Sequence, residues 1–348
     1  MGLAGAVLTD LDEALERFQA RSFEYAGGLS NHGPMAAEAL LQLGHPALIG
    51  GFVDLYEPRL PPAESGTPLR SDERAAAVGH ADRLGDWRAT FERELEADTW
   101  QAVLRRELSA LVEGLSAAGT HGLLRLAHAV RGIEAKETTP RRLELAFGLA
   151  YWAGSYQRLP GLPGRHPLAD RGPAEVLARS TGLLTQVTGF LLDDRVRALD
   201  GEPRFAAEVE ALDPSGLEFE KFLGELCREA ARLYLAKPQA RIAALHALTA
   251  PSALRLIADH LDEATRKRAA CFALQAAAAL HAITASEGPV TIVPEVEALA
   301  ESEDEIRYRA ASSMQEHAIK FCEAALREHS IAPDPVFRLA AADAAIHL

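Results

Sequence analysis

Cysteine, tryptophan and lysine are all scarce in this 348-residue chain, with three, three and five copies. Cys227, Cys271 and Cys322 are odd in number and far apart, and each lies inside an apolar helical pattern. That excludes a disulfide framework or a zinc ribbon and predicts a reducing, cytoplasmic setting. Positive charge is short overall: 36 Lys and Arg face 50 Asp and Glu, a net −14. Such an acid excess argues against a nucleic-acid surface, which needs clustered cations, and gives no support to docking on anionic membranes. The most apolar stretch, Cys271 to Ala285, is too short to span a bilayer and carries Gln275 and His281. Met1 to Asp10 lacks a basic n-region and makes a poor signal peptide.

Cofactor signatures are missing as well. No two glycines stand two positions apart, so no GxG dinucleotide fingerprint exists, and no glycine precedes a lysine, which removes the P-loop. HExxH, GxSxG and CxxC are absent. The expectation is an enzyme with neither flavin nor nicotinamide, if it is an oxidoreductase at all. A ferritin-like di-iron bundle needs Glu-x-x-His, and no histidine here has a glutamate three residues earlier. His80-Ala81-Asp82 spells the HxD of a facial triad, but that triad belongs to a β jelly-roll, so a solvated turn is the better reading.

What the chain has is helical periodicity. Leu104, Leu108, Leu111 and Leu115 recur at spacings of three and four, as do Phe222, Leu226, Ala230 and Leu233. Thr9 with Asp12, Asn31 before Pro34, and Thr120 before His121 read as helix starts; Gly44 and Gly119 read as stops. Val290 to Val293 is the one convincing β-branched run. Pro/Gly-rich stretches at 57–67, 159–173 and 200–216 read as loops. The phrase Leu-His-Ala-x-Thr-Ala occurs at 245–250 and 280–285 without a further copy, which does not make a solenoid. These features predict an all-α protein, a single large multi-helix, bundle-like domain over residues 1–348.

Among twelve histidines, four stand in unusual settings. His32 lies where the chain turns into a helix. His121 opens a helix behind a capping threonine, His246 sits on an apolar helix before a proline break, and His317 lies inside a long helix. Each alone has a bland explanation as a satisfied core or capping residue. Imidazole is nonetheless the side chain suited to Fe, Zn and Cu, and bundles build metal sites from facing helices. Lys320 shares a helix face with His317. It reads either as an i,i+4 partner of Glu316 or, given its apolar neighbours, as a buried amine of depressed pKa. A neutral amine of that kind reacts with CO2, and the carbamate is an anionic oxygen ligand.

Four phrases in order, Asn31-His32 through Gly44, Thr120 to Val130, His246 to Ile257 and Glu316 to Leu326, run along most of the chain. On them the sequence resembles the questin oxidase-like family, whose fungal members open anthraquinone rings in polyketide pathways. The resemblance implies an all-helical oxygenase using non-heme Fe(II), with O2 as co-substrate and no flavin. It implies His32, His121, His246 and His317 as iron ligands, with Lys320 as a carbamylated lysine. His281 has no counterpart, and His128 is a weaker supporting candidate. Asn-His-Gly-Pro-Met here departs from fungal members, which carry a further histidine close behind, and this points to a different substrate pocket. The expected partner is a small aromatic or quinone substrate. Trp87, Trp100, Trp152 and Phe321 are candidate pocket residues, though each type is more often plain core. A metal-dependent hydrolase and a non-catalytic helical scaffold are the alternatives.

Overall fold

The computed structural model describes residues 2–169, 171–184, 187–284 and 290–348, and among these it holds eighteen α-helices and one two-stranded antiparallel sheet. The protein is all-α, as its periodicity predicts. Leu104, Leu108 and Leu111 line one face of the Trp100–Leu111 helix and are all buried. That helix begins where the Thr99 hydroxyl accepts from the Ala102 amide, and Asp262 caps Glu263–Ala282 in the same way. Gly44 ends Gly33–Gln42 at φ +84°, with Gly44 N donating to Leu41 O and His45 N to Leu40 O. Buried apolar side chains form one continuous cluster from Leu11 to Ala344, rich in alanine and leucine. Among the described residues, no helix is long and apolar enough to cross a membrane.

Four helices bring the unusual histidines together: Gly33–Gln42, His121–Ala135, Arg241–Arg255 and Glu316–Ile331. They pack in a ring, each touching the next and the last touching the first. A fifth, Thr139–Gly154, backs the second of them at close range. A side chain added at Gly148 would meet the Leu126 backbone at 2.7 Å, and one at Gly122 would meet Trp152 Cα at 2.8 Å. Glycine is therefore required at both positions for the two backbones to approach.

Several local expectations give way to tertiary context. Thr9 lies inside the Gly2–Gln19 helix rather than at its start. Val290–Val293 is irregular and leads into Pro294–Ala300; the strands are instead Glu24–Tyr25 and Leu29–Ser30. Without a neighbouring strand, β-branched residues have no ladder to join. Within 200–216 the chain forms the helix Pro203–Glu210. Pro251 does not break its helix, which runs from Arg241 to Arg255. An interior proline costs about 3 kcal/mol, and burial of this helix against four neighbours offsets it.

Candidate metal centre

Each of the four histidines is placed by a different local device. A short hairpin delivers the chain to Asn31, whose Oδ1 accepts from Gly33 N and whose Nδ2 donates to Ser22 O, both at 3.0 Å. His32 follows, its own amide donating to Tyr56 Oη at 2.9 Å. His121 is the first residue of its helix and succeeds Thr120, which sits in the left-handed region at φ +80°. Thr120 does not cap: its hydroxyl is buried and bonds to nothing among the described residues. His317 is the second residue of Glu316–Ile331, just after Met314 at φ +54°. His246 projects from the middle of Arg241–Arg255. Three of the four thus stand at helix N-termini.

These residues, dispersed in sequence, meet in space. His121 Nε2 lies 2.9 Å from His32 Nε2 and 3.1 Å from His246 Nε2. The His32 and His317 rings are 4.6 Å apart between centroids, and those of His246 and His317 5.8 Å. His32, His246 and His317 each offer a nitrogen within 4.8 Å of the other two. His121 completes the set from the side where it touches His32 and His246.

The outward nitrogens decide the tautomer. His32 Nδ1 faces Ser30 O at 2.5 Å, while His121 Nδ1 faces Ala118 O and His246 Nδ1 faces Ile242 O, each at 2.6 Å. A carbonyl only accepts, so Nδ1 carries the hydrogen in all three rings, and each inward Nε2 presents a lone pair. Protonation of the inward nitrogens is strongly opposed. Burial, reinforced by the Lys320 charge, lowers His246 to about 3, and burial likewise holds His32, His121 and His317 well below the usual imidazole value. Lone pairs facing each other at 2.9 and 3.1 Å repel unless a cation lies between them. Ligand nitrogens at right angles around a metal with bonds of ~2.1 Å stand roughly 3 Å apart, so the spacing fits a transition-metal ion. Carbonyl-anchored Nδ1 groups are also the usual support of metal-binding imidazoles.

Lys320 is buried, and its Nζ makes no hydrogen bond or ion pair among the described residues. The exposed pair with Glu316 therefore does not form. Burial lowers the amine to about 7, with Glu316 opposing the shift in part. Glu316 is itself buried and keeps Oε2 without a hydrogen bond among the described residues, 4.0 Å from Arg59 Nη1. Neutral imidazoles and three helix N-termini supply no negative charge for a divalent cation. Glu316, or an anion formed on Lys320, is what the surroundings offer to balance it.

All four histidines and Glu316 line one cavity of about 1120 Å3. Its aromatic wall is Tyr25, Tyr156 and Phe190. Trp87, Trp100, Trp152 and Phe321 are core residues and take no part: Trp87 Nε1 donates to Ala77 O, Trp152 Nε1 to Gly114 O, and Phe321 packs against Tyr234 in a tilted pair. His80 is exposed beside Asp82, as a solvated turn should be. His281 is buried away from the cavity wall, and neither of its ring nitrogens has a partner among the described residues. His128 also lies off the wall, in a supporting role. Its Nδ1 is 2.7 Å from Glu38 Oε2, and Arg131 bridges Glu38 to Glu323. Three of the four ring helices are locked together by that buried charge network.

Sequence reasoning missed Glu38, Arg131 and Glu323, because ion pairs between distant helices leave no local pattern. It also missed Glu316 as a wall residue, having weighed it only as a possible i,i+4 partner of Lys320. No protein-family model matches the chain, and no curated protein matches it.

Proposed function

We propose that this chain is a non-heme iron, O2-dependent oxidoreductase of the questin oxidase-like type, which oxidises or ring-cleaves a polycyclic aromatic or quinone-type substrate. One observation carries the reading: four imidazoles gathered at one point, His32, His121 and His246 buried and His317 half-buried, the first three with Nε2 lone pairs turned inward at a spacing that a metal cation would relieve. His32, His121, His246 and His317 would hold Fe(II), with Lys320, as its carbamate, as an anionic oxygen donor. Iron supplies the one-electron chemistry that O2 requires and that side chains do not provide.

The chain's own groups bind and orient. Ser30, Ala118 and Ile242 fix three imidazoles in the ligating tautomer through their carbonyls. Tyr25, Tyr156 and Phe190 present ring surfaces to a flat substrate, in a space large enough for fused rings. Glu316, at the cavity wall beside His317, is positioned to accept a phenolic proton from a hydroquinone.

The test is metal content followed by O2 uptake. Protein purified anaerobically with iron should hold about one iron per chain, and should consume O2 with a hydroquinone. His246→Ala and His317→Ala should lose most of the iron while staying helical, whereas His80→Ala should change neither property. Bound metal with ester or amide cleavage but no O2 uptake would favour a metal-dependent hydrolase. Absence of bound transition metal in wild type would leave the helical scaffold.

A further inference from the structure

The cavity wall carries four arginines, and three of them have carboxylate partners. Arg241 is held by both oxygens of Asp343, Arg158 by Glu113, and Arg197 by Asp193 and Asp194. Arg195 is different. Its one side-chain hydrogen bond among the described residues is from Nη2 to the Ile283 carbonyl at 3.0 Å; its Nε is buried without a partner, and no carboxylate pairs with it there. Acid is not lacking, since the chain carries an excess of fourteen negative charges and two aspartates directly precede Arg195. Both of those turn to Arg197 instead. The Arg195 stem is pinned from behind: a Cβ at Gly189, which holds φ +139°, would sit 3.1 Å from Arg195 Cγ. A half-buried guanidinium with a single neutral acceptor has lost hydration without gaining a counter-charge.

We infer that Arg195 is the specificity-determining residue for an anionic substrate, an aromatic carboxylate whose oxygens pair with the free edge of its guanidinium while the ring system extends toward the histidines. The inference rests on the reading of this cavity as the substrate pocket. Guanidinium offers a planar donor edge that matches a carboxylate in two parallel bonds, which a phenol or a ketone does not reproduce. The negative field of the whole protein disfavours anions in general. A counter-ion-free cation inside the cavity therefore selects for one.

Calorimetric titration of metal-free protein with 2-naphthoate and with its neutral analogue 2-naphthamide tests this, because iron content then has no bearing on the result. Wild type should bind the carboxylate about tenfold or more tightly than the amide. Arg195→Gln should bring the carboxylate down to the level of the amide and leave amide binding unchanged. Arg195→Lys, which keeps charge but not the planar edge, should fall between. Equal affinity of wild type for the two ligands, or no binding of either, would overturn the inference. So would equal loss of both ligands in Arg195→Gln, or loss of the preference in Arg197→Gln instead. A chain that binds no iron yet keeps the Arg195-dependent preference would refute the oxygenase reading alone.

Discussion

Tyr151 and His32 are coupled through the single residue between their contacts: Tyr151 Oη lies 2.6 Å from Ser30 Oγ, and the Ser30 carbonyl faces His32 Nδ1 at 2.5 Å. Tyr151 is fully buried and also donates to Glu24 Oε1 at 3.1 Å, on the cavity wall. The phenol thereby holds the hairpin that orients His32.

Removing that hydroxyl should be felt at the metal. Tyr151→Phe leaves Ser30 Oγ short of a partner, a cost of about 1–3 kcal/mol in stability. Loosening of the His32 support should weaken iron binding by roughly tenfold or more. Competition with a chelator of known affinity, alongside a urea melt, measures both effects. Unchanged iron affinity with lowered stability would confine Tyr151 to a packing role.

Lys320 divides the two readings of its helix. Lys320→Arg keeps the charge but cannot accept CO2, and it places a permanent cation against the imidazoles. Iron affinity and O2 turnover should collapse together, and Lys320→Ala with added formate or acetate should recover part of both. Protein equilibrated with 13C-labelled CO2 should give a carbamate resonance that Lys320→Arg lacks. Full iron loading of Lys320→Arg would refute the carbamate.

Acid should weaken the clamp between the helices that carry the candidate ligands. Glu38 titrates at about 2, because Arg131 and His128 overcome the burial that alone would raise it; the usual value is 4.5. Glu323 is likewise depressed, by Arg131 and Arg327. Folded values below unfolded ones mean that this stabilisation is complete above the usual carboxylate range and is lost as pH falls through about 4.5 toward 2. For Glu38 it is on the order of 3 kcal/mol. Urea midpoints at about pH 7, 5 and 3.5 should decline most over the last interval. Glu38→Gln should start lower at neutral pH and decline less.

Thr120 stores strain beside the candidate ligand His121. A β-branched residue at φ +80° with a buried hydroxyl that has no partner among the described residues is unfavourable on both counts. Thr120→Gly removes both penalties and should raise stability by about 1 kcal/mol after the entropic cost of glycine. A thermal melt reads that gain. A loss of iron affinity in the same variant would assign the strain to holding His121.

The sequence by itself determined the helical class, because the spacing of buried leucines is a local property that survives any arrangement of the helices. It also singled out the four histidines, each from its own neighbourhood of helix start or apolar face. Their convergence was not legible. His32 and His121 are 89 residues apart and His121 and His246 are 125 apart, and local pattern carries no information on which helix ends meet. Lys320 shows the same limit at short range. Spacing offered it Glu316 as a surface partner, but packing of Arg241–Arg255 and Pro335–His347 against Glu316–Ile331 puts the amine in the interior, where it cannot keep a solvated ion pair. The aromatic wall was not legible for a related reason: tryptophan identity signals burial, which is where Trp87, Trp100 and Trp152 lie, whereas facing the cavity depends on the side of the helix or loop that tertiary packing leaves uncovered. Tyr25, Tyr156 and Phe190 lie on such uncovered sides, and only the assembled ring of helices decided it.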